Sequence, residues 1–485
     1  MELKEEKNLK LKPFQKKSIK EIMRFFKGGT PTLRKISKHM QTRSAYLAND
    51  MGLGKTPTAV VLADMLNVKK ILVVCPALMR LVWRNEIVAW SKTFTEEEFD
   101  IFAVLSTSRR VKEILTPLRN RAKYVVITSY DLATPSARKR DKHGNPKPDN
   151  SIRDQILKLA PFDLVVFDEA HLIKNRKSKR SKVCFNHYFK NSKYRLLMSG
   201  TPCTVHVTDL YTPLHAMLPS VFTNFWDFAE EFSNPVRTPW AVKYEGIKNG
   251  KKLKRFLRDT VLVRYTKDQV LKQLPEKQFV EIPLPSELAV KPPTKAEEKK
   301  RLEEQVKKIV NGIESGKEDI PVPTHIASIR KAQGLKKLKH VEEFIRSTVV
   351  DNGEPLIVFY YHRDFVTQLA GKTKDLSPEI IQGGTPDKLR NMYVEDFQSG
   401  KIDLLYIQIR AGGLGVTLTR ARMAFLAEID WSPSVIIQAV DRLHRIGQTR
   451  NVIVYWMPVE RSIDRRIELA VIERAKDFKI LFDNR

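Results

Sequence analysis

The stretch Asn49–Thr56, NDMGLGKT, sets two glycines, a lysine and a threonine in an order that can cradle a phosphate. Gly52 and Gly54 let the backbone curl until its N–H groups face phosphate oxygens. Lys55 then supplies a cation for the β and γ phosphates, and Thr56 a hydroxyl for magnesium. Asn49 departs from the general loop pattern, which has Gly at that position. Leu164–His171, LVVFDEAH, carries an apolar run that ends in two acids. Asp168 suits a magnesium ion held through water, and Glu169 suits orienting and deprotonating an attacking water. Phosphoryl transfer is mostly positioning and charge neutralisation, so these roles are what it asks of a protein. Far along the chain, Gln438–Thr449, QAVDRLHRIGQT, puts Arg442 and Arg445 at a spacing that shares one helix face. Guanidinium groups so placed can stabilise charge developing on a γ-phosphate.

These residues need strands and helices to hold them. Between Ala45 and Gly200 a short apolar run, a polar turn and a helical stretch recur, with runs at Ala45–Leu47, Lys70–Cys75, Ile101–Leu105, Tyr124–Ile127, Leu164–Phe167 and Tyr194–Met198. They are rich in Val and Ile and lack strict alternation, as expected of parallel strands covered on both faces. A second series begins near Leu356, with IVFYYH, IIQGG, LLYIQI, MAFLAEI and NVIVYWM as strands and Val435–Leu443 among its helices. The chain therefore reads as α/β: two parallel-sheet cores with helical insertions between them, and a cleft between the cores. The expected division is 1–203 for the first core, 204–284 for a helical insertion and brace, 285–334 for a Lys/Glu-rich helical linker and 335–485 for the second core with its C-terminal helix. Within the linker, Leu302, Val306, Ile309 and Ile313 fall on one helix face, so the segment should dock. Ala133–Ser151 is polar, basic and turn-rich, and reads as an exposed loop.

Lys and Arg number 86 against 56 Asp and Glu in 485 residues, and the resulting +30 points to a polyanionic partner. At 42% hydrophobic the chain can still bury real cores. The three cysteines exclude a disulfide scaffold or Cys-rich zinc module and fit a reducing compartment. The charged N-terminus lacks a signal-peptide core and no long uncharged apolar run occurs, so a soluble, intracellular protein, cytoplasmic or nucleoid-associated, is expected, with no membrane contact.

Taken in order, these segments resemble the SWI/SNF-type helicase-like ATPases of superfamily two. LKPFQ (Leu11–Gln15) resembles the motif in which a glutamine recognises adenine, which makes Gln15 the candidate for base choice. LANDMGLGKT resembles the family's P-loop, where acidic residues are common around Asn49 and Asp50. VVCPALMRLVWRNEIVAW, VITSYDLA, DEAH and LLMSGTP follow in the family's order, the last linking hydrolysis to lobe movement through Ser199, Gly200 and Thr201. VRYTKDQVLKQLPEK resembles the brace, and Ile326–Ile345 resembles the start of the second lobe in the branch containing annealing helicases. IRAGGLGVTLT and QAVDRLHRIGQT are the most diagnostic strings, and QIR before AGGLG departs from a pattern in which Ser or Thr is more usual.

The resemblance implies two RecA-like lobes, a monomeric motor, and ATP with Mg2+ as the nucleotide and metal. Gly413 and Gln438 would join the ATP site from the second lobe. His171 and His444 fit hydrogen-bond networks between the ATP and DNA sites better than proton transfer. It also implies a sequence-independent translocase on double-stranded or branched DNA, gripping phosphates near Thr128, Ser129 and Thr417. Remodelling of DNA–protein complexes or branched DNA, including DNA repair, follows as the leading expectation. A strand-separating DNA or RNA helicase is the alternative, and a scaffold with a dead ATPase is disfavoured by the joint presence of Lys55, Asp168, Glu169, Arg442 and Arg445. Trp83 and Trp90 read as packing residues rather than base-stacking platforms.

Overall fold

The Val- and Ile-rich runs form parallel sheets because each strand is buried on both faces, which leaves no side for polar alternation. The computed structural model describes residues 10–27, 31–36, 42–94, 101–103, 113, 115–134, 152–200, 202, 206–238, 241–270, 275–291, 296–314, 323–411 and 416–477. The chain divides into two compact units, Met1–Val270 and Leu271–Arg485.

In the first unit, strands β1 (Ser44–Leu47), β2 (Lys70–Cys75), β3 (Ile101–Ala103), β4 (Tyr124–Ser129), β5 (Phe162–Asp168) and β6 (Ser192–Met198) form one parallel sheet. A hairpin, β7 (Asn234–Thr238) with β8 (Ala241–Glu245), stands apart, and β9 (Leu262–Val263) closes the sheet edge. The order is β3-β4-β2-β5-β6-β1-β9. Helix α1 (Pro13–Phe26) begins with proline, whose fixed φ and missing N–H suit a first turn. It buries Phe14, Ile19, Ile22, Phe25 and Phe26 on one face, against β1 and β9. Helices α2 (Lys55–Met65) and α3 (Arg80–Trp90) pack on each other and share a core with β1, β2, β4 and β5 that includes Trp83 and Ile87. The expected helical insertion holds α4 (Phe225–Phe232) and α5 (Gly250–Thr260) around an aromatic cluster, and it also contains the hairpin, which the sequence reading missed.

The second unit is built on β10 (Lys277–Glu281), β11 (Leu356–Tyr360), β12 (Glu379–Ile381), β13 (Leu404–Gln408), β14 (Met423–Leu426) and β15 (Val452–Trp456), all parallel in the order β10-β15-β14-β11-β13-β12. Strand β10 corrects the expected boundary. Lys277–Glu281 was expected in the brace of the first core, yet it pairs residue for residue with Val452–Trp456. Helix α6 (Ala296–Glu314) docks as expected: Leu302, Val306, Ile309 and Ile313 are buried and the helix packs on the C-terminal helix. Helix α7 (Thr324–Arg346) follows, then α8 (Arg363–Lys372), α9 (Asp387–Ser399), α10 (Pro433–Val440) and α11 (Ile463–Asp477). Lys337 of α7, buried, donates to the Met457 carbonyl at 2.9 Å and pairs with Glu468 of α11 at 3.4 Å. Among the described residues no helix is long and apolar enough to cross a membrane. Most of the Ala133–Ser151 loop lies outside the described residues.

Candidate nucleotide site

The P-loop, DEAH and SGT segments all leave the C-terminal ends of neighbouring strands β1, β5 and β6, where open α/β sheets bind ligands. Gly54 has φ +68°, and a side chain there would start 2.3 Å from the Gln15 amide nitrogen. Only glycine fits that turn. Gln15, buried on α1, donates to the carbonyls of Leu53 (3.2 Å) and Gly54 (3.4 Å) and accepts from the Lys12 N–H (2.7 Å). Its amide thus fastens α1 to the loop that precedes α2. Gly52 also has positive φ, and Thr56 sits in the first turn of α2, where unpaired N–H groups and the dipole favour an anion.

Asn49 is fully buried and works through its side chain. It donates to Ser18 Oγ of α1 at 3.1 Å and accepts from the Tyr265 N–H at 2.9 Å. Glycine could make neither bond, which accounts for the departure from the general loop pattern. Asp50 accepts from the Lys267 N–H at 2.9 Å and pairs with Arg264 at 3.0 Å. Arg264 also donates to the carbonyls of Ala48 (2.7 Å) and Gly200 (3.3 Å), so one guanidinium joins the ends of β1, β6 and β9. The sequence reading noted the string VRYT but missed this arginine. Gly200 itself abuts the loop: a side chain there would begin 2.6 Å from Met51 Cγ and 3.3 Å from Lys55 Nζ.

Lys55 Nζ donates to the carbonyls of Asn49 (3.0 Å) and Asp50 (3.4 Å). Burial lowers the pKa of its ammonium, and the carboxylates of Glu169, Asp168 and Asp50 oppose the shift. Asp168 is pushed the other way, to about 6, by burial and the Glu169 charge, against the Trp83 hydrogen bond and Lys55. A cation brought to this carboxylate would relieve both effects, so Lys55, Thr56 and Asp168 suit a magnesium–nucleotide complex. Trp83 is buried as expected and also donates its indole N–H to Asp168 Oδ2 at 2.8 Å, a bond not foreseen from sequence. Tyr130 donates to the Asp168 carbonyl at 2.7 Å. Glu169 has φ +49°, a conformation uncommon for a side-chain-bearing residue and costing about 1–3 kcal/mol. Its Oε2 lies 3.2 Å from His171 Nδ1 and 3.3 Å from Ser199 Oγ, and His171 and Ser199 stand 3.1 Å apart. Glu169, His171 and Ser199 thus form one hydrogen-bonded triangle. Thr201 lies outside the described residues.

In the second unit α10 ends at Val440, so Arg442 and Arg445 follow it on turns and do not share a helix face as expected. The chain leaves the helical path because Gln448 gathers it. Its amide donates to the carbonyls of Thr419 (3.1 Å), Ala421 (2.9 Å) and Leu443 (3.4 Å), while its oxygen accepts from Thr449 and Arg450 N–H. Arg445 donates to the Val416 carbonyl at 3.3 Å, and His444 Nε2 lies 2.7 Å from the Pro275 carbonyl. Gln438 is half-buried on α10, Thr417 is half-buried ahead of Leu418, and Gly413 lies outside the described residues. The QIR departure has a structural use. Gln408 donates to the Tyr361 carbonyl (3.2 Å) and accepts from the Gly383 N–H (2.9 Å), bridging the ends of β11 and β12.

The expected surface role of Thr128 and Ser129 needs correction. Both are buried, and Ser129 Oγ caps the turn after β4 by accepting from the Leu132 N–H. Their hydroxyls do not face solvent.

Residues 15–287 match the model of the SNF2-related domain, and residues 336–447 match the helicase conserved C-terminal domain. A "SWI/SNF-related matrix-associated actin-dependent regulator of chromatin subfamily A-like protein 1" of Xenopus tropicalis is 30% identical over 89% of this chain and 42% of its own length. The "DNA annealing helicase and endonuclease ZRANB3" of Bos taurus is 27% identical over 94% of this chain and 39% of its own. The chain thus spans about two fifths of these curated relatives. The solved "Sulfolobus solfataricus SWI2/SNF2 ATPase core in complex with dsDNA" aligns over 99% of this chain and 95% of its own, at 21% identity and a TM-score of 0.42.

Proposed function

The chain belongs to the SNF2-related family, and on that premise we propose that it is a DNA-dependent ATPase that moves along duplex DNA and remodels DNA–protein complexes or branched DNA. The observation that carries the ATPase reading is the convergence, at one sheet edge, of Lys55, Asp168 and the Glu169–His171–Ser199 triangle on a loop held by Gln15. Lys55 exchanges its backbone carbonyls for the β and γ phosphates of ATP, and the helix N-terminus of α2 adds its dipole. Thr56 and, through water, Asp168 would hold a Mg2+ bound with ATP, which would neutralise phosphate charge. Glu169 orients the attacking water and takes its proton. Ser199 and His171 hold that carboxylate and couple its state to the loop containing Gly200. In the second unit, Arg442, Arg445, Gln438 and Gly413 are the candidates for contributing to ATP hydrolysis. Gln15, through the loop backbone, sets the preference for adenine.

The DNA reading draws on the net charge of +30 and on the family. It is tested by ATP turnover with duplex, forked and single-stranded DNA and with RNA, at two salt concentrations. Stimulation by duplex or forked DNA at low salt is the expected result, and none with any duplex would refute the reading. Glu169→Gln should bind ATP yet lose ~10²-fold or more of turnover, the usual worth of a positioned base.

A further inference from the structure

Helix α1 carries two faces with different chemistry. The inner face is buried and bonds the nucleotide loop through Gln15 and Ser18. The outer face exposes Lys16, Lys17, Lys20, Arg24 and Lys27, with Lys12 exposed at the cap. At 3.6 residues per turn the four helix positions and the Lys27 cap fall within an arc of about 100°. Successive cations four residues apart stand about 6 Å apart along the axis, close to two phosphate steps of one duplex strand, about 7 Å.

A solvated helix face ordinarily alternates its charges. The acid on α1 is Glu21, and it accepts a hydrogen bond from the Tyr265 hydroxyl at 2.8 Å. Lys12, Lys16, Lys20 and Lys27 make no ion pair among the described residues. The first turn holds no acid, so lysines stand at the helix end whose dipole repels them. Lys16, Lys20 and Arg24 add like-charge repulsion at four-residue spacing. Folding alone disfavours this arrangement twice over, whereas a bound polyanion would relieve both terms. Contrast the exposed side of α6, where Lys299, Lys300 and Lys307 are interspersed with Glu303 and Glu304.

We propose that the outer face of α1 is a DNA contact, binding the sugar–phosphate backbone of duplex DNA. α1 packs on β1 and β9, at the edge of the sheet opposite β3. The inner face then ties occupancy of this surface to the nucleotide loop. The inference rests on the DNA reading above, and its test separates the two.

The test uses the full chain and a fluorescently labelled duplex, with affinity measured across a salt series. The variant K16A/K20A/R24A should bind at least tenfold more weakly near 0.1 M salt, and its log–log salt slope should be shallower by about 2–3, at ~0.9 per lost phosphate contact. Its melting temperature should stay within about 3 °C, because relieved repulsion at Lys16 and Lys20 offsets the loss of Arg24 from the last turn. The charge-preserving K16R/K20R/R24K should restore binding, and K299A/K300A/K307A on α6 should not weaken it. An unchanged slope in the first variant, failed rescue, or equal loss in the α6 control overturns the proposal. Equal loss on single strands would likewise overturn a duplex-specific contact. If the unaltered protein does not bind duplex DNA, the DNA reading fails instead.

Discussion

On the proposed function, Asp168 sets the pH behaviour of the candidate nucleotide site. Its carboxyl must be ionised to hold metal, yet burial and Glu169 push its pKa up to about 6 in the free protein. Because kcat/KM reports the free enzyme, its acid limb should lie near pH 6 and fall tenfold per unit below that. The limb in kcat should lie lower, since a bound cation favours the ionised form. Trp83 pulls in the same direction as that cation by donating to Oδ2. Trp83→Phe keeps the ring and removes the donor, so the kcat/KM limb should move up by about one pH unit, the worth of one hydrogen bond to a charged group. A pH–rate profile of the variant superimposing on that of the unaltered protein would show that the indole only packs. Trp83 was legible as a core residue from its apolar surroundings in sequence. Its N–H partner was not, because nothing local to residues 73–90 says that β5 ends beside β2 with Asp168 turned toward α3.

The elements that could be read in advance are those whose burial leaves a pattern. Strands β2, β4, β5, β11 and β13 are continuous apolar runs, and the α6 stripe has helical spacing. The misread elements are decided by distant partners. KQFVE alternates weakly and becomes a strand because β15 offers an edge. The helical reading of Val435–Leu443 overshoots because Gln448, five residues further on, ties the backbone to the distant carbonyls of Thr419 and Ala421 and draws it into turns. That makes Gln448→Ala a test at this scale. It leaves three carbonyls and two N–H groups without this partner, so the second unit should lose about 2–4 kcal/mol. Hydrogen exchange should rise in 416–450 before it rises in the first unit. Uniformly unchanged protection would mean that water replaces the amide without cost and that the turn is held by other contacts.

Across the whole molecule, charge and chemistry respond to solvent differently. Solvated cations such as those on the outer face of α1 are screened by salt within about 10 Å at 0.1 M. The groups proposed to act on ATP are sheltered: Asp168 and Ser199 are buried, and Glu169 is held by Ser199 and His171. Salt should therefore act on DNA capture and spare turnover. Between 50 and 200 mM salt, the duplex concentration giving half-maximal ATPase should rise by about 10³-fold if some six phosphates are neutralised. At saturating duplex, kcat should change by less than about twofold, because buried pairs are screened far less than exposed ones. Titrating duplex at each salt concentration separates the two quantities. If kcat at saturation collapsed in parallel with affinity, the cations would be acting at the site of hydrolysis itself. Capture and chemistry would then be one electrostatic event rather than a screened surface feeding a sheltered site.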